Sequence, residues 1–153
     1  MAYWLFKTEP DAFSIDDLKN APEQRTFWEG IRNYQARNFL RDQVKVGDLV
    51  FIYHSSCKVP AIVGIARVIK AATPDPHQFD LNSDYYDPKS STDNPRWVGV
   101  TLAYERHLRP VTLQAIKANP ALTEIALKKA GRLSVMPVVD AEWHAILAMS
   151  GAS

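Results

Sequence analysis

The residues best suited to chemistry lie together between Trp28 and Leu40, in the run WEGIRNYQARNFL. Trp28, Tyr34 and Phe39 supply ring faces. Arg32 and Arg37, with Arg41 one residue beyond, supply fixed donors, while Asn33, Gln35 and Asn38 supply the paired donor and acceptor groups that read a hydrogen-bonding edge. Such a mixture suits the holding of something flat and polar. Other chemistries are poorly served. The four histidines, His54, His77, His107 and His144, share no ligand spacing with a carboxylate or thiol, so no metal is expected, and His144 reads as a surface residue. His54, Ser55, Ser56 and Cys57, with Asp87 as orienter, would need strand neighbours to share a face, and no Gly-x-Ser-x-Gly elbow exposes a serine. The glycines form neither a GxGxxG nor a Walker-type loop, so no nucleotide cofactor is expected.

What remains is a set of aromatic and amide residues at strand ends and in loops. Trp28, Tyr53, Tyr86 and Trp97 could wall a slot that sandwiches a base, each stack contributing about 1–3 kcal/mol. A core role suits Trp97 and Trp28 as well. Asn33, His54 and Ser55 carry groups for the polar edge of a base, and Arg32, Lys89, Arg96 and Arg132 carry charge for phosphates, provided that they converge. Taken singly, each of those cations is a solvated surface charge.

The elements that must position these residues follow from periodicity. Tyr3 to Thr8 alternates as a strand and ends at the turn Glu9-Pro10-Asp11. Ser14 and Asp17 form a capping box for a helix from Ile15 to about Asn20. Residues 21–27 read as a loop delivering Trp28, and Asn33 caps a helix to about Asp42 that buries Ala36, Phe39 and Leu40. Leu49 to His54 and the run AIVGIARVI from Ala61 are strands; the first is apolar on both faces, which implies a sheet curled toward a barrel. Residues 71–95 form a long loop, and its Phe79, Tyr85 and Tyr86 argue against simple disorder. Strands at Trp97–Tyr104 and Leu108–Val111 come next, then a helix capped by Thr112 and ending at Ala118. A second short helix runs from Pro120 to about Lys129, with Gly131 as its C-cap. Leu133 to Val139 is a last strand, held to an edge by Pro137, and Asp140 caps a helix that buries Trp143, Ile146 and Leu147. The class is α+β, with a small mixed barrel-like sheet of five to six strands and flanking helices.

Composition bounds the rest. At 153 residues, 46% hydrophobic and 23% charged, the chain is one globular domain spanning 1–153. Eighteen Lys and Arg against 17 Asp and Glu leave a net charge of +1, so any polyanion must be met by a local patch. A single cysteine, Cys57, excludes an internal disulfide and suits a reducing compartment. No signal peptide or membrane span is expected, which makes the location cytoplasmic, or nuclear in a eukaryote.

In order along the chain, YWLFKTEPDAFSIDDL (3–18), WEGIRNYQARNFLR (28–41), VGDLVFIYHS (46–55), PAIVGIARV (60–68), PDPHQFD (74–80), YYDPKS (85–90) and GRLSVMPV (131–138) resemble the EVE domain family. Ile31 departs from the usual Val between Gly and Arg, and Gln43-Val44 departs from the commoner Met-Lys; neither touches a candidate function. The resemblance implies the PUA-like pseudo-barrel shared with YTH and ASCH domains. It also implies a reader, without cofactor, that takes a modified base, most often a modified cytosine in DNA, into an aromatic pocket. Carried onto this sequence, the pocket would be Trp28, Asn33, Tyr53, His54, Ser55, Tyr86 and Trp97, with Lys7 and Glu9 at its floor. Partners would be DNA or RNA containing such a base. Two rivals stand beside this reading: an RNA- or nucleoside-acting enzyme of the ASCH kind, using His54 with Lys7, Glu9 or Asp87, and a module that binds a small molecule.

Overall fold

Alternating and doubly apolar runs become strands, and runs of helical period become helices, in the computed structural model, which describes residues 1–129 and 132–151. The strands are β1 (Tyr3–Thr8), β2 (Arg25–Phe27), β3 (Leu49–His54), β4 (Ala61–Pro74), β5 (Val98–Thr112) and β6 (Val135–Val138). The α-helices are α1 (Ile15–Asn20), α2 (Tyr34–Asp42), α3 (Leu113–Ala118), α4 (Ala126–Lys129) and α5 (Asp140–Met149). All six strands join one mixed sheet in the order β2-β5-β4-β3-β1-β6. Its ends, β2 and β6, are not paired with each other, so the sheet stays open. Register shifts along β4 and β5 supply the bulges that bend it.

Only β1 and β3 run parallel, with Tyr3 opposite Leu49 and Thr8 opposite His54. A parallel pair needs a crossover. Here the crossover holds α1, β2, the Trp28 segment and α2, and it brings that segment back over the sheet. The core lies between the sheet and its covering helices. Leu5, Phe6, Phe51, Ile52, Ile62 and Leu102 are fully buried. Trp143 of α5 stacks on Phe51 with centroids 3.7 Å apart and on Tyr3 at 4.3 Å. On the other side of β1, the indole N–H of Trp4 donates to Asp48 Oδ2 at 2.9 Å.

Most expected elements are present, including the Ser14–Asp17 capping box and the Asn33 and Thr112 caps. His144 is exposed on α5, as its place beside Trp143 implied. Pro137 sits in edge strand β6, where its missing N–H costs nothing. Four differences have clear causes. Residues 25–27 form β2, a strand too short for alternation to reveal. The two strands expected at 97–104 and 108–111 are one strand, β5, because the polar run Glu105-Arg106-His107 lies in an exposed, bulged part of the β4–β5 arm. The helix expected from Pro120 divides into a 3₁₀ turn at Pro120–Leu122 and α4. Val139 is the N-cap of α5, with Asp140 in the first turn and the Glu142 carboxylate accepting the Val139 N–H. Gly131, expected as a C-cap, lies outside the described residues.

Candidate functional site

The site begins where β2 delivers Trp28. The Trp28 N–H donates to Val100 O at 2.8 Å, extending the β2–β5 pairing by one residue. Gly99 makes the close approach possible: a Cβ there would stand 2.3 Å from Trp28 O and 2.6 Å from Phe27 Cζ. The indole is thereby turned inward. It is buried, with Phe6 at 5.8 Å between centroids and Phe13 edge-on at 6.0 Å.

Two residues later the chain turns at Gly30, whose φ of +80° belongs to the left-handed region that glycine adopts without strain. Its N–H donates to Asp75 Oδ2 at 2.9 Å. The Tyr85 ring lies against it so closely that a Cβ would meet Cζ at 2.9 Å. Asp75 is fully buried and joins three partners: the Gly30 N–H, Arg32 Nη1 at 3.1 Å and the His77 N–H at 2.9 Å. Arg32 also donates from Nε and Nη2 to Tyr85 O at 3.2 and 2.9 Å, so one guanidinium clamps the central segment to the long loop. The loop itself is stitched by fully buried Gln78. Its Nε2 donates to Asp75 O and Trp97 O, and its Oε1 accepts from Ser90 Oγ and Trp97 N–H.

These contacts frame a cleft of about 360 Å³ lined by Lys7, Phe13, Trp28, Gly30, Tyr85 and Ser134, among others. Glu29 stands at its rim, 2.7 Å from His77 Nε2. Burial lowers the pKa of the Lys7 ammonium from its ordinary value. A second cleft, of about 370 Å³, lies on the other side of Lys7 and is lined by Tyr53, Ser55, Ser56, Lys117 and Lys128.

The single expected pocket is therefore divided. Trp28 and Lys7 meet at the first cleft, whereas Tyr53 and Ser55 line the second with Lys7. Asn33 has its side-chain oxygen on the Ala36 N–H at 2.9 Å, capping α2, and lines neither cleft. His54 Nε2 accepts the Ile15 N–H at 3.1 Å, which requires a neutral ring, and burial lowers its pKa. Trp97 is buried, its indole N–H bound to Asp87 Oδ2 at 2.8 Å; that bond, then the Lys89 N–H, lowers the Asp87 pKa. Tyr86 and Glu9 are exposed and outside both linings. Neither His54, Glu9 nor Asp87 faces either cleft, so the acid–base set considered from the sequence does not assemble. Among the expected phosphate contacts, Arg32 is committed to Asp75 and Tyr85, and Arg96 is half-buried, 3.4 Å from the Tyr34 hydroxyl. Lys89 and Arg132 are exposed. Among the described residues, no group of three His, Cys, Asp or Glu side chains could hold a metal, and no helix is long and apolar enough to cross a membrane.

Residues 2–149 match the EVE domain. The chain belongs to the EVE domain family. Thymocyte nuclear protein 1 of Homo sapiens is 39% identical over 97% of this chain and 73% of its own length. An uncharacterised protein of Schizosaccharomyces pombe is 39% identical over 97% of this chain and 68% of its own. The human THYN1 protein in complex with 5-methylcytosine-containing DNA superposes with a TM-score of 0.95 at 38% identity, covering 100% of this chain and 99% of that one. A Pseudomonas putida protein superposes at 0.92 with 46% identity, covering 97% and 99%. The ASCH protein of Zymomonas mobilis, 11% identical with a TM-score of 0.56 over 98% and 99% of the two chains, shares the fold alone. The open six-stranded sheet with five helices is thus the PUA-like α+β arrangement that the sequence implied.

Sequence reasoning missed four residues that shape the cleft of this EVE domain. Phe13 and Ser134 reach it only through the crossover and β6. Asp75 carried one signal, its place before Pro76 at a helix-like turn, where it caps the 3₁₀ segment Pro76–Phe79. Tyr85, beside Tyr86, could be told from its neighbour only by the fold.

Proposed function

We propose that this EVE domain reads a modified base in nucleic acid, a modified cytosine in DNA, by drawing it into the cleft between Trp28 and Tyr85. One observation carries the reading: Trp28, Tyr85 and Lys7, from three separate segments, converge on a cleft of about 360 Å³. That volume lies at the small end of ligand sites, as suits a single base. The likeness to human THYN1, crystallised with 5-methylcytosine-containing DNA, supports the same class of ligand here. Rings offer stacking, and backbone groups of Glu29 to Ile31 at the wall offer hydrogen bonds to a base edge. A half-buried, partly desolvated Lys7 ammonium favours an acceptor such as a ring carbonyl. The exposed Lys89 and Arg132, with Arg96, are the cations left to meet the strand outside. Binding rather than turnover is the role, because His54 is occupied as an acceptor away from the cleft. The name of the thymocyte nuclear relatives fits a nuclear location for a eukaryotic member.

Tryptophan fluorescence titrated with matched oligonucleotides tests this. Trp28→Ala would remove a buried core ring and cost about 3–5 kcal/mol of stability, so Tyr85→Ala and Trp28→Phe are the useful variants. The 5-methylcytosine strand is expected to bind about 10-fold or more tighter than the unmodified one, and Tyr85→Ala to weaken it by at least about 5-fold. Equal affinity for both strands, or a Tyr85→Ala protein that binds as well as the parent, would refute the reading.

A further inference from the structure

The second cleft lies against the first through Lys7 and has a different chemistry. Its polar lining is cationic and hydroxylic: Lys7, Lys117 of α3, Lys128 of α4, and the hydroxyls of Tyr53, Ser55 and Ser56. No carboxylate lines it. The nearest acid to Lys128 in sequence, Glu124, is paired with Lys129 instead. The ammonium groups of Lys117 and Lys128 make no hydrogen bond or ion pair among the described residues. Leu113, Leu127 and Pro60 supply the apolar part of its lining.

Tyr53 is the more telling residue. It is only 3% exposed, yet its hydroxyl has no hydrogen-bond partner among the described residues. No fully buried side-chain polar atom there lacks a partner, so the hydroxyl must face the open cleft. Burial raises its pKa, which keeps it protonated and a donor. A hydroxyl that faces a cleft with no protein partner is free to donate to a ligand there. Ser56 forms the adjoining wall in the left-handed region, at φ 53°, a conformation that a serine adopts only where its surroundings impose it.

From this arrangement we infer that the second cleft binds a phosphate group, held by the ammonium groups of Lys117 and Lys128 and by the hydroxyls of Tyr53, Ser55 and Ser56, with Lys7 between it and the first cleft. Ammonium groups and hydroxyl donors around one cleft, without a competing carboxylate, match an oxyanion such as phosphate and disfavour a cation. Two sources offer that group: the backbone phosphate next to a base seated in the first cleft, which rests on the function proposed above, or a free phosphorylated small molecule.

The experiment pairs Lys117→Gln/Lys128→Gln with Tyr53→Phe and uses three probes. Inorganic phosphate, followed by ³¹P line broadening, reads the second cleft alone. The nucleoside 5-methyl-2′-deoxycytidine reads the first cleft alone. A short single strand containing that nucleotide, titrated across a salt series, reads both. The parent protein should broaden the phosphate line. The double variant should abolish the broadening, and Tyr53→Phe should weaken phosphate by about 3- to 10-fold. Nucleoside affinity should stay unchanged in all three proteins. For the strand, the double variant should lower the slope of log K against log salt by about 0.7, the value for one phosphate on a single strand. Phosphate binding with an unchanged strand slope would support the site and assign it to a free phosphorylated ligand. No broadening by the parent, together with an unchanged slope, overturns the inference. Failure of the nucleoside alone overturns the base-reading function and leaves the phosphate site standing.

Discussion

Gly30 and Asp75 set the aperture of the first cleft. Asp75 holds three donors on one buried carboxylate, and two of them, the Gly30 N–H and Arg32, belong to the segment that carries Trp28. Asp75→Ala removes the only carboxylate partner of Arg32, whose bonds to Tyr85 O remain, and leaves two backbone donors unmet. The expected loss is about 3–5 kcal/mol, read as a lowered midpoint in urea denaturation. Gly30→Ala acts more locally. Its added methyl meets the Tyr85 ring at 2.9 Å and must adopt a φ of +80°. Loss of about 1–2 kcal/mol is expected, with the Tyr85 ring displaced. Nucleoside titration should then show weaker binding in a protein that still unfolds cooperatively; unchanged affinity would show that Tyr85 does not wall the ligand.

Strands and helices were largely legible because each obeys a local rule. The helix α1 announces itself by Ser14 and Asp17, and β3 by five residues, Leu49 to Tyr53, apolar on both faces. What could not be read was where distant side chains point. Tyr53 and Trp28 both looked like walls of one slot, yet the crossover puts Trp28 above Lys7 and leaves Tyr53 beyond it. Asn33, which has the chemistry of a base reader, is drawn into capping by the helix it starts, since a side-chain oxygen at that position meets a free N–H two to three residues on. Residues 71–74, expected as the start of the long loop, are the end of β4, and residues 75–95 carried no period because their order comes from Asp75 and Gln78 bonding to main chain 19 or more residues away. Local sequence holds no trace of such a partner.

The start of α1 also carries a pH response. His54 Nε2 accepts the Ile15 N–H, and protonation would turn that acceptor into a donor. Burial lowers the folded-state pKa, partly offset by Asp16 and Asp17, while His107 adds to the lowering. The unfolded chain therefore takes up the proton first, at about 6.5. Stability from this contact is complete above that pH and is lost as pH falls through the folded-state value. Denaturation midpoints at pH 7.5 and pH 5 should differ more for the parent protein than for His54→Gln, whose amide oxygen accepts without titrating. Equal differences would show that another group governs the acid limb.

Across the whole molecule, 18 cationic and 17 acidic side chains nearly cancel, so long-range steering toward a polyanion is weak. Association rates with an oligonucleotide measured by stopped flow should vary by less than about 3-fold between 50 and 200 mM salt, with the salt effect falling on dissociation. A steep fall in the association rate would instead reveal a concentrated basic face. Strand β1 lies between β3 and β6, with Tyr3 opposite both Leu49 and Val138. As the chain leaves a ribosome, Trp4, Leu5 and Phe6 emerge long before Val135–Val138, the strand that completes their seat. Contacts of such long sequence separation form slowly, and until they do those three side chains lie open to a chaperone or to another chain. Because Lys7 belongs to that same strand and Ser134 lies beside its final partner, the first cleft is incomplete until β6 has been made. Ligand capture there waits on the pairing of β6 with β1.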